Sequence, residues 1–196
     1  SPPTKLIIAT VDNGHMQTLQ TLSREFENAH PDVRLRWVTL PEAELRRAVS
    51  SDLQTQARQF DIVTIGMYEA PVFAKRGWLM PIRSPSDQDR QDLIDNIREG
   101  LSHGGELYAA PFYGESSMLY YRKDLFAKAG LTMPARPTWP EVARFAARLH
   151  DPQAQVHGIC LRGKPGWGEN MTLVATMVNA FGGQWFDMQW RPQLQT

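Results

Sequence analysis

The sequence predicts an α/β fold built on a parallel sheet, and three observations support this class. Apolar runs typical of buried strands occupy residues 4–11 and 61–67, and an alternating apolar and basic run lies between them at VRLRWV. Two segments with helical spacing of apolar residues separate these runs. A strand–helix–strand–helix–strand order is typical of parallel strands joined by crossover helices.

The first half of the chain contains five predicted elements, each defined by its apolar spacing. In chain order they are a strand at 4–11, a helix with the stripe Leu19, Leu22, Phe26 and Ala29 that ends at His30-Pro31, a strand at VRLRWV, a helix at 42–60 with Leu45, Val49, Leu53 and Ala57 facing inward, and a strand at DIVTIGM. Asp12 or Asn13 is the expected N-cap of the first helix.

The second half has shorter predicted elements with clearer end signals. They are strands at 106–111 and 115–121, a helix at 123–129 closed by Gly130, the helix TWPEVARFAARL with Thr138 and Glu141 at capping-box spacing, the strand VHGICL, and a helix at 171–181 ended by Gly182-Gly183.

Composition excludes several classes of function. The 21 basic and 21 acidic residues cancel, which argues against a nucleic-acid partner, since such a protein needs a basic face. The single Cys160 excludes an internal disulfide framework and a multi-Cys metal site. The five His form no pair at metal-ligand spacing on a helix, and no apolar run has the length of a membrane span. We therefore expect no metal and no cofactor.

Polar loops follow two strands of the predicted sheet. DNGHM follows the first strand and MYEAP follows the third. Because ligands of open parallel sheets bind outside the carboxyl ends of the strands, Asn13, His15, Tyr68 and Glu69 are expected to face one crevice. The alternatives are a capping or surface role for His15 and a first-turn acid that complements a helix dipole for Glu69.

The segment LRGKPGWGENM combines an indole, a carboxylate and an amide with three Gly and one Pro, so it is predicted to be a loop. Such a loop suits a site that stacks on a hydroxylated ligand and binds its hydroxyl groups. Trp167 is the first candidate, and its alternative is a Trp that packs the second lobe from a loop. Arg162 either binds a ligand hydroxyl group or pairs with a carboxylate across the cleft, and Glu169 either contacts the ligand or begins the following helix. Asn170 is either a ligand contact or the N-cap of the following helix. Trp185, after a Gly-Gly turn, either reaches the site or supports the fold around it.

Motifs along the whole chain resemble one family. FENAHPDVRLRWV, FDIVTIG, KRGWLMPI, YAAPFYGESSMLYYRKDLFAKAGL and TWPEVARFAARL resemble the bacterial extracellular solute-binding proteins of sugar ABC transporters. DNGHM, IGMYEAPVFAKRGWL, RGKPGWGENM and GGQWFDMQWRPQL are most similar to the polyol branch that binds sorbitol or mannitol.

The resemblance implies a type II periplasmic-binding-protein fold with two α/β lobes that enclose a polyol or sugar. The first lobe would be residues 1–111, nearly complete, and the second 112–196, truncated, with the lobe crossing near 109–116. It adds Tyr113 and Glu115 to the candidate ligand-binding residues; the alternatives are a hinge tyrosine and a surface glutamate. It also implies a periplasmic location, with the signal peptide absent from this chain, and ABC permease subunits as partners. A second polypeptide that completes the fold is a further possible partner.

Two other classes of function stay open at this point. A carbohydrate hydrolase would use Glu69 and Glu115 as paired carboxylates, with Trp167 as the platform for the sugar. An interaction module would use GWGEN to hold a protein partner. We predict binding without catalysis, and hence no catalytic residues, because neither GESSM nor GKPGWG has the spacing of a nucleophile elbow or a phosphate loop.

Overall fold

The structure, a computed structural model, describes residues 2–83, 86–166 and 168–193. The chain divides into two compact units, Ser1–Gly114 and Glu115–Thr196. The division falls within the stretch at which the sequence places the lobe crossing. The assignment of the two units to two lobes stays a prediction.

The first unit is built on a parallel sheet of three strands in the order β2-β1-β3. β1 (Thr4–Val11) pairs along its whole length with β2 (Val33–Leu40), and its residues Ile8 and Ala9 pair with β3 (Ile62–Val63). The parallel α/β architecture expected from the sequence is therefore confirmed. The predicted strand at DIVTIGM is shorter than expected, because only two of its residues pair with β1.

The segment between β1 and β2 forms two helices, α1 (Gly14–Thr21) and α2 (Ser23–Ala29), where the sequence predicts one. The break lies at Leu22, which serves as the C-cap of α1 and the N-cap of α2. Trp37 Nε1 donates a hydrogen bond of 2.8 Å to Ser23 Oγ, so the break coincides with a bond to β2. The apolar stripe of this segment continues through the break, so the sequence pattern predicted one helix instead of two.

Helix α3 (Glu42–Thr55) ends five residues earlier than the predicted boundary at residue 60. Gln56 adopts a left-handed conformation with φ 53°, and its neighbour Ala57 is exposed rather than buried. The buried carboxylate of Asp52 accepts hydrogen bonds from Gln59 N (2.8 Å) and Phe60 N (3.2 Å). These bonds satisfy the donors of the loop, which lets the helix end without glycine or proline.

The core of the first unit lies between the sheet and two helices. Ala9, Leu45, Val49 and Phe73 are buried together, and Trp78 packs against this cluster. Leu45 and Val49 were predicted to face inward, and both do so. The unit is completed by α4 (Glu69–Lys75), α5 (Asp87–Gln91), α6 (Asp95–Gly100) and a hairpin of β4 (Ser102–His103) with β5 (Glu106–Leu107).

The second unit contains the helices α7 (Lys123–Lys128), α8 (Trp139–Leu149) and α9 (Asn170–Ala180). Phe126 is buried, and its ring lies 5.1 Å from that of Phe145. The capping box predicted at the start of α8 is present, with Thr138 and Glu141 bonded in both directions.

Two strands predicted for the second unit do not form. Residues 115–121 and VHGICL carry the apolar content of strands, but in the described part of this unit the only β-pairing consists of two isolated bridges, Asp151–Val156 and Phe186–Pro192. A strand needs a neighbour to satisfy its backbone groups, and the sequence pattern alone does not supply one. The predicted strand at 106–111 is likewise limited to β5.

Candidate functional site

Asn13 connects the end of β1 to a tyrosine far along the chain. Its Oδ1 accepts from Met16 N at 2.9 Å, so Asn13 is the N-cap of α1, as one of the two predicted alternatives. Because the oxygen faces a backbone N–H, the amide nitrogen faces the other way. That nitrogen donates to Tyr113 Oη at 3.2 Å.

His15 joins the same cluster. Its ring lies 5.2 Å from the ring of Tyr113, tilted by 33°. Tyr113 in turn lies 5.1 Å from the ring of Phe112, in an edge-on arrangement. Three predicted site residues, Asn13, His15 and Tyr113, are therefore brought together in the first unit.

An open concavity of about 600 Å³ adjoins this cluster. It is lined by Gly14, His15, Thr18, Leu19, Leu22 and Phe112. Its volume lies within the range of small-molecule pockets, and its lining combines apolar surface with an imidazole and a hydroxyl group. Thr18 and Phe112 were not among the site residues predicted from the sequence. The helical spacing of Gly14 and Thr18 would have placed Thr18 one turn beyond the loop, on the same face of α1.

Tyr68 and Glu69 lie in the loop after β3 and at the start of α4. Because β3 is a parallel neighbour of β1, this loop and the DNGHM loop leave the same edge of the sheet. Tyr68 is 56% exposed. Glu69 is buried, and its Oε1 accepts hydrogen bonds from Arg46 Nη1 and from Gly66 N (2.8 Å). Glu69 therefore has partners within the fold that the sequence did not reveal.

An ion pair joins two residues of the Gly- and Pro-rich segment in the second unit. Arg162 Nε donates to Glu169 Oε2 at 2.9 Å, and the two side chains are 65% and 25% exposed. Asn170 is the first residue of α9, and Glu169 is its N-cap, so the prediction of Asn170 as the N-cap is wrong. Asn170 Oδ1 accepts from Gly166 N at 3.4 Å, and Asn170 N donates to Lys164 O at 3.1 Å. Trp167, the first candidate for ligand stacking, lies outside the described residues.

The other two candidates lie elsewhere in the second unit. Glu115 is exposed in a segment without regular structure. Trp185 is half-buried beside a turn in which Asp187 accepts from Arg191, and Trp185 O accepts from Gln193 N at 2.9 Å. The backbone N–H of Arg191, followed by its side chain, lowers the pKa of Asp187, which favours the charged form that holds this turn.

Within residues 2–83, 86–166 and 168–193, no three His, Cys, Asp or Glu side chains are grouped so that they could hold a metal ion. None of the helices described for the chain combines the length and the apolar character that crossing a bilayer requires.

The family is shown by sequence. A model of the bacterial extracellular solute-binding proteins matches residues 12–195, and the chain belongs to this family. It is 53% identical over 189 residues to the mannitol-binding protein of Pseudomonas aeruginosa, which covers 96% of this chain and 43% of the relative. The resemblance to the polyol branch is thereby confirmed.

Two solved structures match the chain over nearly its whole length. An ABC transporter solute-binding protein from Agrobacterium vitis with bound D-mannitol matches with a TM-score of 0.92 and 49% identity, over 98% of this chain and 47% of that one. A ribitol complex of a solute-binding protein from Agrobacterium radiobacter matches with a TM-score of 0.88 and 24% identity, over 100% and 49% of the two chains. The fold is that of the type II periplasmic solute-binding proteins, and the chain spans about half the length of these relatives.

Proposed function

We propose that this chain belongs to the substrate-binding component of an ABC importer and binds a linear polyol, with D-mannitol as the first candidate. The observation that carries the proposal is the 53% identity with the mannitol-binding protein of Pseudomonas aeruginosa over 96% of the chain. The 49% identity with the mannitol-bound protein of Agrobacterium vitis supports the same class of ligand.

The cluster in the first unit has the chemistry that a polyol requires. Each hydroxyl group of a polyol both donates and accepts, and burying one without a partner costs about 1–3 kcal/mol. Tyr113 and His15 supply groups that donate and accept, and Thr18 adds a hydroxyl group to the wall of the concavity. The exposed ring of Phe112 supplies apolar surface for the C–H groups of the ligand.

The remaining contacts are proposed on sequence and family grounds. Tyr68 would extend the first unit's cluster from the loop after β3. In the second unit, Glu115, Arg162, Glu169, Asn170 and Trp185 would bind hydroxyl groups or cover the carbon chain, and Trp167 would stack on it.

Partners and location are proposed from the family. ABC permease subunits would receive the ligand, and the periplasm is the proposed compartment, since the family is bacterial and extracellular. The relatives reported above are described as binding proteins, so we propose binding without catalysis for this chain. Nothing among these relatives supports a second polypeptide that completes the fold.

The test is a thermal-shift and calorimetric titration with D-mannitol, sorbitol, ribitol and maltose. It uses this chain and a chimera in which residues 1–196 replace the matching segment of the Pseudomonas aeruginosa protein. A ligand that binds only the native state, present at 100 times its Kd, raises stability by about 2.7 kcal/mol. We expect D-mannitol to do so in the chimera. A chimera that folds and responds only to maltose would contradict the proposal.

A further inference from the structure

Arg46, on helix α3, contacts two carboxylates. Its Nη2 donates to Glu42 Oε1 at 2.9 Å, and its Nη1 donates to Glu69 Oε1. The side chains of Arg46 and Glu69 are only 18% and 9% exposed, so this ion pair lies largely out of water. Because a buried charge without a partner is strongly unfavourable, each of the two groups restricts the other to this arrangement.

Glu69 in turn fixes the loop between β3 and α4. Its Oε1 accepts from Gly66 N at 2.8 Å, and its backbone N donates to Gly66 O at 2.9 Å. Residues 66 and 69 therefore exchange two hydrogen bonds across a tight turn whose middle residues are Met67 and Tyr68. The oxygen that accepts from Gly66 also accepts from Arg46, so the turn is tied to α3.

We propose that Arg46 is a positioning residue for polyol binding: it anchors Glu69 and thereby the 66–69 turn that presents Tyr68 at the carboxyl edge of the sheet. This rests on the proposed function for the choice of ligand. In this proposal, Glu69 contributes to polyol binding by fixing the 66–69 turn. A buried ion pair is weak evidence for stability, because apolar residues of similar volume often stabilise a fold as well. The role proposed for the Arg46–Glu69 pair is therefore to define the geometry of the 66–69 turn.

The variants separate anchoring from general stability. R46M removes the charge and keeps an unbranched side chain. R46K keeps the charge but loses the fork that contacts both carboxylates. The double variant R46M/E69Q removes both charges of the buried pair, so Glu69 is not left as an uncompensated buried carboxylate, and it keeps an acceptor for Gly66 N. Glu42 loses Arg46 in this variant, but its side chain is 29% exposed. The control is R47M, the same change at the neighbouring exposed arginine of α3.

Two readouts are measured in the chimera defined above: the Kd for D-mannitol and the hydrogen-exchange rate of the Gly66 amide. In R46M we expect the Kd to rise about tenfold and the Gly66 amide to exchange about tenfold faster, since misplacing a contact residue by a fraction of an ångström weakens binding. R46K should recover part of both effects, and R47M should change neither. R46M/E69Q should fold with a weakened Kd.

A different set of results overturns the proposal. If R46M and R46M/E69Q lower the melting temperature but leave the Kd and the Gly66 exchange rate unchanged, Arg46 is structural only. If the parent chimera folds and does not bind D-mannitol, the proposed function fails. The Gly66 exchange rate then decides by itself whether Arg46 anchors the turn.

Discussion

At the scale of single residues, Asn13 has two separable roles. Its oxygen caps α1 through Met16 N, and its nitrogen donates to Tyr113 Oη. Serine at this position keeps a capping oxygen but has no amide nitrogen, whereas alanine has neither. The pair of substitutions therefore distinguishes the stability of α1 from the placement of Tyr113.

We expect N13A to lower the free energy of unfolding by about 1 kcal/mol, the usual effect of losing an N-cap, and N13S to retain most of it. Both variants should weaken the binding of D-mannitol, because Tyr113 loses its partner in each. Chemical denaturation and calorimetry in the chimera measure the two effects. Unchanged affinity for D-mannitol in N13S would show that the amide nitrogen of Asn13 does not contribute to binding.

The residue types in the loops indicated which residues are candidates for ligand binding. The fold determines which partners those residues contact. The cluster of Asn13, His15 and Tyr113 joins positions 100 residues apart, and no local pattern encodes that distance. Glu69 was a reasonable ligand candidate from its place after β3. Its burial against Arg46 follows from how α3 packs beside α4, which the sequence does not specify.

At the scale of elements, the strongest local signals gave the most accurate predictions. The run of Ile and Val predicted β1 to the residue, and the spacing of Thr138 and Glu141 predicted the start of α8. Errors arose where long-range contacts determine the ends. Helix α3 ends at Gln56 without a glycine, and residues 115–121 lack a paired neighbour. Local propensity carries no information about such partners.

The capping box of α8 allows a matched test. We expect T138A to lower the free energy of unfolding by about 1 kcal/mol, because Glu141 N and Glu141 Oε2 both lose the hydroxyl group of Thr138. T138S keeps the hydroxyl group, so its free energy of unfolding should stay close to that of the parent. Thermal denaturation followed by circular dichroism measures both, and equal losses in the two variants would rule out the hydroxyl group as the cause.

The same box predicts a pH dependence. The backbone N–H of Thr138, followed by its hydroxyl group, lowers the pKa of Glu141 from 4.5. Because the pKa is lower in the folded chain than in the unfolded one, the carboxylate contributes stability above about pH 4.5 and loses it as the pH falls through the folded pKa. E141Q should therefore be less stable than the parent at pH 7, with the difference vanishing in acid. A difference that does not depend on pH would contradict this.

Gly158 packs against the last turns of α8 with no room for a side chain. A Cβ there would lie 1.9 Å from Ala146 O, a backbone atom that cannot move without distorting the helix. We expect G158A to destabilise the chain by about 3 kcal/mol. The control is G163A, because a Cβ at Gly163 meets nothing within 4 Å. The change in the free energy of unfolding should stay below about 1 kcal/mol in this variant. Similar melting temperatures for the two variants would show that the contact is not tight.

At the scale of the whole molecule, selectivity should follow the number of hydroxyl groups on an open chain. A site matched to six hydroxyl groups leaves at least one of its own polar groups unpaired when a five-carbon polyol binds. That costs about 1–3 kcal/mol, a factor of roughly 5–150 in Kd. A cyclic hexose fixes its hydroxyl groups in a ring and leaves more of them misplaced. The expected order of affinity is therefore D-mannitol, then ribitol, then glucose.

Calorimetry on the chimera tests this order with the three ligands at one temperature and buffer. The linear polyols should also compete with one another for a single site, because they would use the same donors and acceptors. Ribitol binding as tightly as D-mannitol would mean that the site does not read the sixth hydroxyl group. Glucose binding more tightly than either would mean that a ring, rather than an extended carbon chain, fits the polar groups that the chain presents.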